Sequence, residues 1–121
     1  MAPPPLSLAA ADARWQPHAA CAKADPQLFY RPAVPVVRKA AKTLCATCPA
    51  AEPCLWAALA AEQAAGYRYG IWGGTTPSRR ARIAAGLPPI GLTVAYLAVA
   101  ASWSPPQSPA EAARRRMGVA A

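Results

Sequence analysis

Four cysteines, spaced C-x23-C-x2-C-x5-C, constrain the possible folds of this 121-residue chain more than any other feature. They are Cys21, Cys45, Cys48 and Cys54. A domain of this size buries little apolar surface, and such domains often need a bound metal, disulfides or a partner to stay folded. We therefore expect the cysteines to staple the fold, and the chemistry that they use becomes the main question.

Fifteen prolines limit the part of the chain that can enter a packed core. Proline lacks a backbone N–H and disrupts helix interiors and sheets, and it is concentrated near the start, at 87–89 and at 104–109. We expect the compact part to run from Trp15 to about Arg82. The predicted division is a disordered N-terminus at 1–12, a cysteine-containing domain at 13–86 and a Pro/Ala-rich basic tail at 87–121.

Two helices are predicted to flank the cysteine block. The first begins at Pro35, because proline suits a first helical turn, and it ends near Cys48, because Pro49 disfavours a helical residue before it. The second begins at Pro53, is rich in alanine and leucine, and is capped by Gly66.

The rest of the chain adds a turn and a short helix. Gly73 and Gly74 indicate a tight turn, after which Thr76 is a typical N-cap for an arginine-rich helix that ends at Gly86. The period of the apolar segment 90–103 does not decide between helix and strand. The fold class is therefore predicted as all-α, a small bundle of short helices. Five residues are assigned to its core or to shielding of the cysteine site, namely Trp15, Phe29, Leu55, Trp56 and Leu59.

The N-terminus has no Lys or Arg before Arg14 and only a weak apolar run, so no secretory signal is expected. The apolar segment 90–100 is too short to span a bilayer. We expect a cytoplasmic protein without a membrane partner. In reducing cytosol, clustered cysteines are more often metal ligands than disulfides.

Several chemistries fit the four thiols. A helix that starts at Pro53 would place Cys54 in its first turn, where the helix dipole should lower the thiol pKa. Four thiolates suit either a tetrahedral zinc ion or a cubane iron–sulfur cluster. Disulfides or unpaired buried thiols are a further alternative, and His18 could replace Cys21 as a zinc ligand.

The charge of the chain is unevenly distributed. Residues 1–65 carry a net charge of +2, whereas residues 66–121 carry +6. Such asymmetry indicates an anionic partner, such as nucleic acid or an acidic protein surface, or else a solubilising tail.

Three stretches together resemble the WhiB-like family of actinobacterial regulators. They are "RWQPHAACAKADPQLFY" at 14–30, "CATCPAAEPCLWAAL" at 45–59 and "YGIWGGTTPSRRARI" at 69–83. Each motif is weak alone, but the ordered set is specific. The resemblance implies a [4Fe-4S] cluster bound by Cys21, Cys45, Cys48 and Cys54, sensitive to oxygen and reactive with nitric oxide.

The resemblance also implies partners. The Gly-Trp turn (Gly70, Ile71, Trp72, Gly73 and Gly74) would contact the C-terminal domain of the principal sigma factor. The arginines after it, Arg79, Arg80 and Arg82, would contact DNA. As an alternative, Trp72 packs in the protein's own core. The segment 87–121 departs from the family pattern and argues against sequence-specific DNA reading.

The combined prediction is a redox- and nitric-oxide-responsive transcriptional regulator without catalytic activity or a small-molecule substrate. Two alternatives are kept. The first is a protein disulfide reductase that uses Cys45 and Cys48, although such motifs expect a βαβ context. The second is a zinc-stapled DNA-binding module with no redox role.

Overall fold

The computed structural model describes residues 14–22, 24–30, 34–88, 91–111 and 114. Within these ranges two short 3-10 turns, Gln16–His18 and Pro26–Phe29, come first. They are followed by helices α1 (Pro35–Ala46), α2 (Ala51–Ala65), α3 (Pro77–Ala85) and α4 (Leu92–Ser102). Residues 109–111 and 114 are also helical. Over this described part of the chain, β-pairing is limited to an isolated bridge between Trp72 and Thr75. The all-α prediction is therefore confirmed. The predicted disorder at 1–12 and the last residues of the predicted basic tail, 115–121, lie outside the described residues.

The helices that flank the cysteine block differ slightly from the predicted bounds. Helix α1 begins at Pro35 as expected but ends at Ala46. Helix α2 begins at Ala51, two residues before the predicted start, and ends before Gly66, which has a φ of 80°. Pro53 is tolerated inside the first turn because the N–H groups there have no intrahelical acceptor. The first intrahelical bond of this end is donated by the Cys54 N–H to Ala50 O, at 3.1 Å.

Helix α3 begins and ends where the sequence predicted. The Thr76 hydroxyl accepts a hydrogen bond from the Arg79 N–H at 3.3 Å, which is the expected N-cap, and Pro77 is the first helical residue. Gly86 follows the last helical residue.

The undecided apolar segment forms helix α4, which packs against α2. Its buried face consists of Leu92, Tyr96 and Ala100, at the four-residue spacing of one helical face. The Arg14 guanidinium donates to the carbonyls of Ala100 at 2.8 Å and Ala101 at 3.0 Å, in the last turn of the helix, where carbonyls lack a full set of intrahelical partners. The packed region thus extends well past Arg82, where we had expected it to end, because α4 covers the alanine-rich face of α2.

Most of the predicted core is confirmed. Trp15, Phe29 and Leu59 are buried, whereas Leu55 and Trp56 are half-buried and contact the core from its edge. None of the helices in the described ranges is both long enough and apolar enough to cross a membrane.

Candidate functional site

All four cysteines line one small cavity. The cavity has a volume of about 10 Å³, roughly the space of one water molecule. Its lining consists of Cys21, Phe29, Cys45, Cys48, Ala51, Cys54, Ile71 and Gly73. The four cysteines are free thiols. Within the described ranges, no three His, Cys, Asp or Glu side chains have an arrangement that could hold a metal ion.

Three separate segments bring the thiols together. Cys45 lies in the last turn of α1, and Cys48 follows it in a turn in which the Cys48 N–H donates to Cys45 O at 3.0 Å. Cys54 lies in the first turn of α2. Cys21 comes from the N-terminal segment, which the Ala20 N–H fastens to the sulfur of Cys48 at 3.4 Å. The remote cysteine therefore joins the other three, as the spacing suggested.

Burial dominates the electrostatics of these thiols. Desolvation raises the pKa of Cys45 to about 12 and that of Cys54 well above its usual value, and it also raises the pKa of Cys21. The expectation that the helix N-terminus lowers the pKa of Cys54 is therefore wrong. The sulfur is enclosed, and the neighbouring thiols oppose its ionisation further.

The residues that line the cavity have the chemistry to bind a metal cluster through thiolates, but the cavity is too small to hold one. Of the side chains around the cavity, only the four thiols can ligate a metal. A cluster larger than one water molecule would require the walls to move apart.

The Gly-Trp turn, residues 70–74, closes one side of this cavity. The backbone N–H of Gly73 hydrogen-bonds to Cys54, and that of Gly74 hydrogen-bonds to Cys45. Gly73 has a φ of +57°, and a Cβ atom there would lie 2.7 Å from the carbonyl oxygen of Ala51. Only glycine allows the turn to approach the start of α2 this closely.

The apolar residues of the turn point inward. Ile71 is 1% exposed and Trp72 is 5% exposed, and both belong to the core. This is the position that the alternative interpretation of Trp72 expected. The assignment of the turn to a sigma-factor surface stays a prediction.

The three arginines predicted to contact DNA occupy different environments. Arg80 is fully buried, so a phosphate contact by this residue is excluded in this fold. Its guanidinium pairs with the Glu62 carboxylate at 2.8 Å. Arg79 is half-buried and Arg82 is exposed, so only these two stay candidates. The sequence pattern could not separate them, because Arg80 is distinguished by a partner 18 residues away.

His18 does not line the sulfur cavity, so it is not placed to substitute for Cys21. It is exposed, and its ring lies 5.3 Å from the ring of Trp103. Sequence reasoning missed Trp103 altogether. Its indole N–H donates to the carbonyl of Pro49 at 3.2 Å, so the end of α4 lies beside the cysteine block.

A second, more open cavity lies beside this contact. Its volume is about 230 Å³, and Cys48, Glu52 and Trp103 are among the residues that line it. Cys48 lines both cavities, so it is the thiol nearest to this opening. The end of helix α4 therefore forms part of the cover over the sulfur site.

Comparison with known proteins agrees with the motif pattern. A family model described as "Transcription factor WhiB" matches residues 15–83. The transcriptional regulator WhiB2 of Mycobacterium tuberculosis is 37% identical over 83 residues, which cover 69% of this chain and 86% of that protein. No solved structure matches the chain. Helix α4 lies beyond the matched region.

Two further relatives show a similar degree of identity. The transcriptional regulator WhiB of Streptomyces coelicolor is 38% identical over 69 residues, which cover 57% of this chain and 74% of that protein. WhiB2 of Mycolicibacterium smegmatis is 36% identical over 74 residues, which cover 61% of this chain. This match spans about half of the length of the M. smegmatis protein, 54%.

Proposed function

Because the chain belongs to the WhiB family, we propose that it is a cytoplasmic transcriptional regulator whose four cysteines hold a [4Fe-4S] cluster. The observation that carries this proposal is the convergence of Cys21, Cys45, Cys48 and Cys54 on one cavity whose other lining residues cannot ligate a metal. Four thiolates are the usual ligand set of such clusters.

When bound, the cluster would supply an iron centre that reacts with oxygen and nitric oxide. The protein's own contribution is to exclude water and to hold the sulfurs. Phe29 and Ile71 supply apolar walls, and backbone N–H groups of the Gly-Trp turn donate to two of the sulfurs. Bonds from N–H groups favour the ionised thiolate that ligation requires, and so oppose the desolvation that raises the thiol pKa.

We assign the output of this regulator to the Gly-Trp turn. Of its residues Gly70, Ile71, Trp72, Gly73 and Gly74, two (Ile71 and Gly73) line the cavity and Trp72 lies in the adjoining core, so a change at the sulfurs would alter the turn. The proposed partner is the C-terminal domain of the principal sigma factor. Since Ile71 and Trp72 face inward, the partner would meet the outer backbone of the turn and the exposed side chains before it, Tyr67 and Tyr69.

DNA is the second proposed partner, through contacts to its phosphates. Arg82 is exposed on α3 and Arg79 is partly exposed, and the sequence from residue 66 onward carries a net charge of +6. Such charge gives binding that weakens with salt and does not itself read sequence.

The disulfide reductase alternative has less support. A nucleophilic cysteine of such an enzyme is a partly exposed thiol of lowered pKa. Here burial raises the pKa of Cys45 to about 12, so almost no thiolate would exist at neutral pH without a metal.

The test of this function is a binding experiment under anaerobic conditions. The full-length chain, purified without oxygen, is mixed with the sigma-factor C-terminal domain before and after treatment with nitric oxide. We expect the untreated protein to bind and the treated protein to lose most of its affinity. Equal affinity in both states, or in a Cys54→Ser variant, would overturn the proposed regulation.

A further inference from the structure

The buried arginine of α3, Arg80, donates hydrogen bonds to a specific set of partners. Arg80 is fully buried, and placing a charge inside a protein is costly unless every donor is paired. Its Nε atom donates to both Glu62 oxygens, at 3.1 and 2.9 Å. One terminal nitrogen also lies 2.8 Å from the Glu62 carboxylate, and both terminal nitrogens donate to carbonyls of one short stretch of backbone.

That stretch is the loop that carries the Gly-Trp turn. On the side where the chain enters the turn, one terminal nitrogen of Arg80 donates to Gly70 O at 2.8 Å and to Tyr69 O at 3.2 Å. On the side where the chain leaves it, the other nitrogen donates to Thr75 O at 2.7 Å. One rigid guanidinium therefore bridges both ends of the turn, which a lysine ammonium of a different shape would not reproduce.

Glu62 fixes the guanidinium to a specific helix. It lies near the C-terminal end of α2, where a carboxylate is electrostatically unfavourable, so its position is better explained by the ion pair with Arg80. Helix α2 also carries Cys54 in its first turn. The same helix therefore bears both the sulfur that Gly73 contacts and the carboxylate that anchors the turn.

We propose that Arg80, held by Glu62, is the positioning residue of the Gly-Trp turn. It sets the distance between Gly70 and Thr75, so that the N–H groups of Gly73 and Gly74 meet the sulfurs and the outer face of the turn keeps one shape. The role in partner binding rests on the proposed function, whereas the role in shaping the turn does not.

The experiment compares Arg80→Gln, Arg80→Lys and Glu62→Gln with Arg82→Gln, which changes an exposed arginine of the same helix. Each full-length protein is purified anaerobically. Amide hydrogen exchange is measured separately for a peptide that spans 69–75 and for peptides of α1, and affinity for the sigma-factor domain is measured in parallel.

We expect Arg80→Gln to speed exchange in 69–75 by about tenfold or more, with less than a twofold change in α1. The reason is that the turn opens more often once the guanidinium bonds to the carbonyls of Tyr69, Gly70 and Thr75 are lost. Arg80→Lys should not restore slow exchange, although it keeps the charge. Affinity for the sigma-factor domain should fall by about tenfold in both variants, and Arg82→Gln should leave the exchange unchanged.

A purely structural role would give a different result. Equal acceleration in α1 and in 69–75, or full recovery by Arg80→Lys, would overturn the positioning role. If Arg80→Gln does not fold, the same comparison is made with Glu62→Gln, which keeps the arginine but weakens its anchor. If the wild-type chain does not bind the sigma-factor domain, the proposed partner fails, and the exchange pattern still decides the role of Arg80.

Discussion

The indole N–H of Trp15 donates to the hydroxyl of Tyr96 at 3.1 Å, although 81 residues separate them in the sequence. Both side chains are 1% exposed, so the bond joins the segment before Cys21 to helix α4 inside the core. The helix that lies beyond the family match is thereby tied to the wall of the sulfur cavity.

Removal of the Tyr96 hydroxyl should destabilise the protein. Tyr96→Phe leaves a buried indole N–H without its acceptor, and we expect the free energy of unfolding to fall by about 1–3 kcal/mol. The measurement is urea unfolding followed by circular dichroism. The control is Tyr67→Phe, since Tyr67 is 67% exposed and should change stability by less than about 0.5 kcal/mol. Equal effects would show that the buried bond contributes nothing.

The Gly-Trp turn should tolerate no side chain at Gly73. Gly73→Ala would place a Cβ atom 2.7 Å from Ala51 O at a positive φ, and we expect the turn to leave the sulfurs and cluster occupancy to fall by more than half. Gly66→Ala is the matched control, because Gly66 also has a positive φ but no atom within 4 Å of an added Cβ. Both variants bear backbone strain of about 1 kcal/mol. The two variants are compared by their iron content per chain. Similar losses in both would argue that the close approach of the turn to α2 is not what cluster binding requires.

Trp103 should slow the access of oxygen to the cluster. Trp103→Ala removes an indole that bonds to Pro49 O and lines the opening beside Cys48, so we expect bleaching in air to be several times faster. Val94→Ala on the same helix changes a residue that is 70% exposed and should leave the rate unchanged. The rate is followed by visible absorption. If Trp103→Ala bleaches at the wild-type rate, the end of α4 does not limit the access of oxygen to the site.

The metal-free, reduced chain should lose stability at alkaline pH. Cys45 and Cys54 have raised pKa values in the fold, so their stabilising contribution is complete below the ordinary thiol pKa and is lost as pH rises toward the folded value of about 12 for Cys45. We expect the urea concentration at the unfolding midpoint to decrease as the pH is raised from 8 to 11. This range begins near the ordinary thiol pKa of about 8.5. A Cys45→Ala variant should show a smaller fall, and an identical fall would mean that Cys45 does not contribute.

The exposed arginine of α3, Arg82, should contribute to DNA affinity. Arg82→Ala removes an exposed charge, and we expect weaker binding on every DNA sequence, with the slope of log affinity against log salt smaller by about one. A slope equal to that of the wild-type chain would exclude a phosphate contact by Arg82.

Local chemistry explains which features could be predicted from the sequence. The cap at Thr76, the glycine at the end of α2 and the start of α1 at Pro35 depend on neighbouring residues, and all three are confirmed. The convergence of the cysteines could also be predicted, because a chain this small needs a staple. The structure of 90–103 could not, since its residues are apolar on all sides and give no period.

The environments of individual side chains depend on residues distant in the sequence, and several of these environments were not predicted correctly. Arg80 and Arg82 occupy one helix but lie on nearly opposite faces of it, and Arg80 faces Glu62 and the Gly-Trp turn while Arg82 is exposed. Trp72 was assigned with its turn to a partner surface, yet the turn folds it into the core. The pKa of Cys54 followed its burial rather than its helix position, because desolvation outweighs the helix dipole.

The most direct test of the cluster assignment is quantitation of iron and acid-labile sulfide in the anaerobically purified chain. If Cys21, Cys45, Cys48 and Cys54 together hold a [4Fe-4S] cluster, each chain should carry four irons and four sulfides, and Cys21→Ser should abolish this loading. One zinc per chain, or full iron loading in the Cys21→Ser variant, would contradict it.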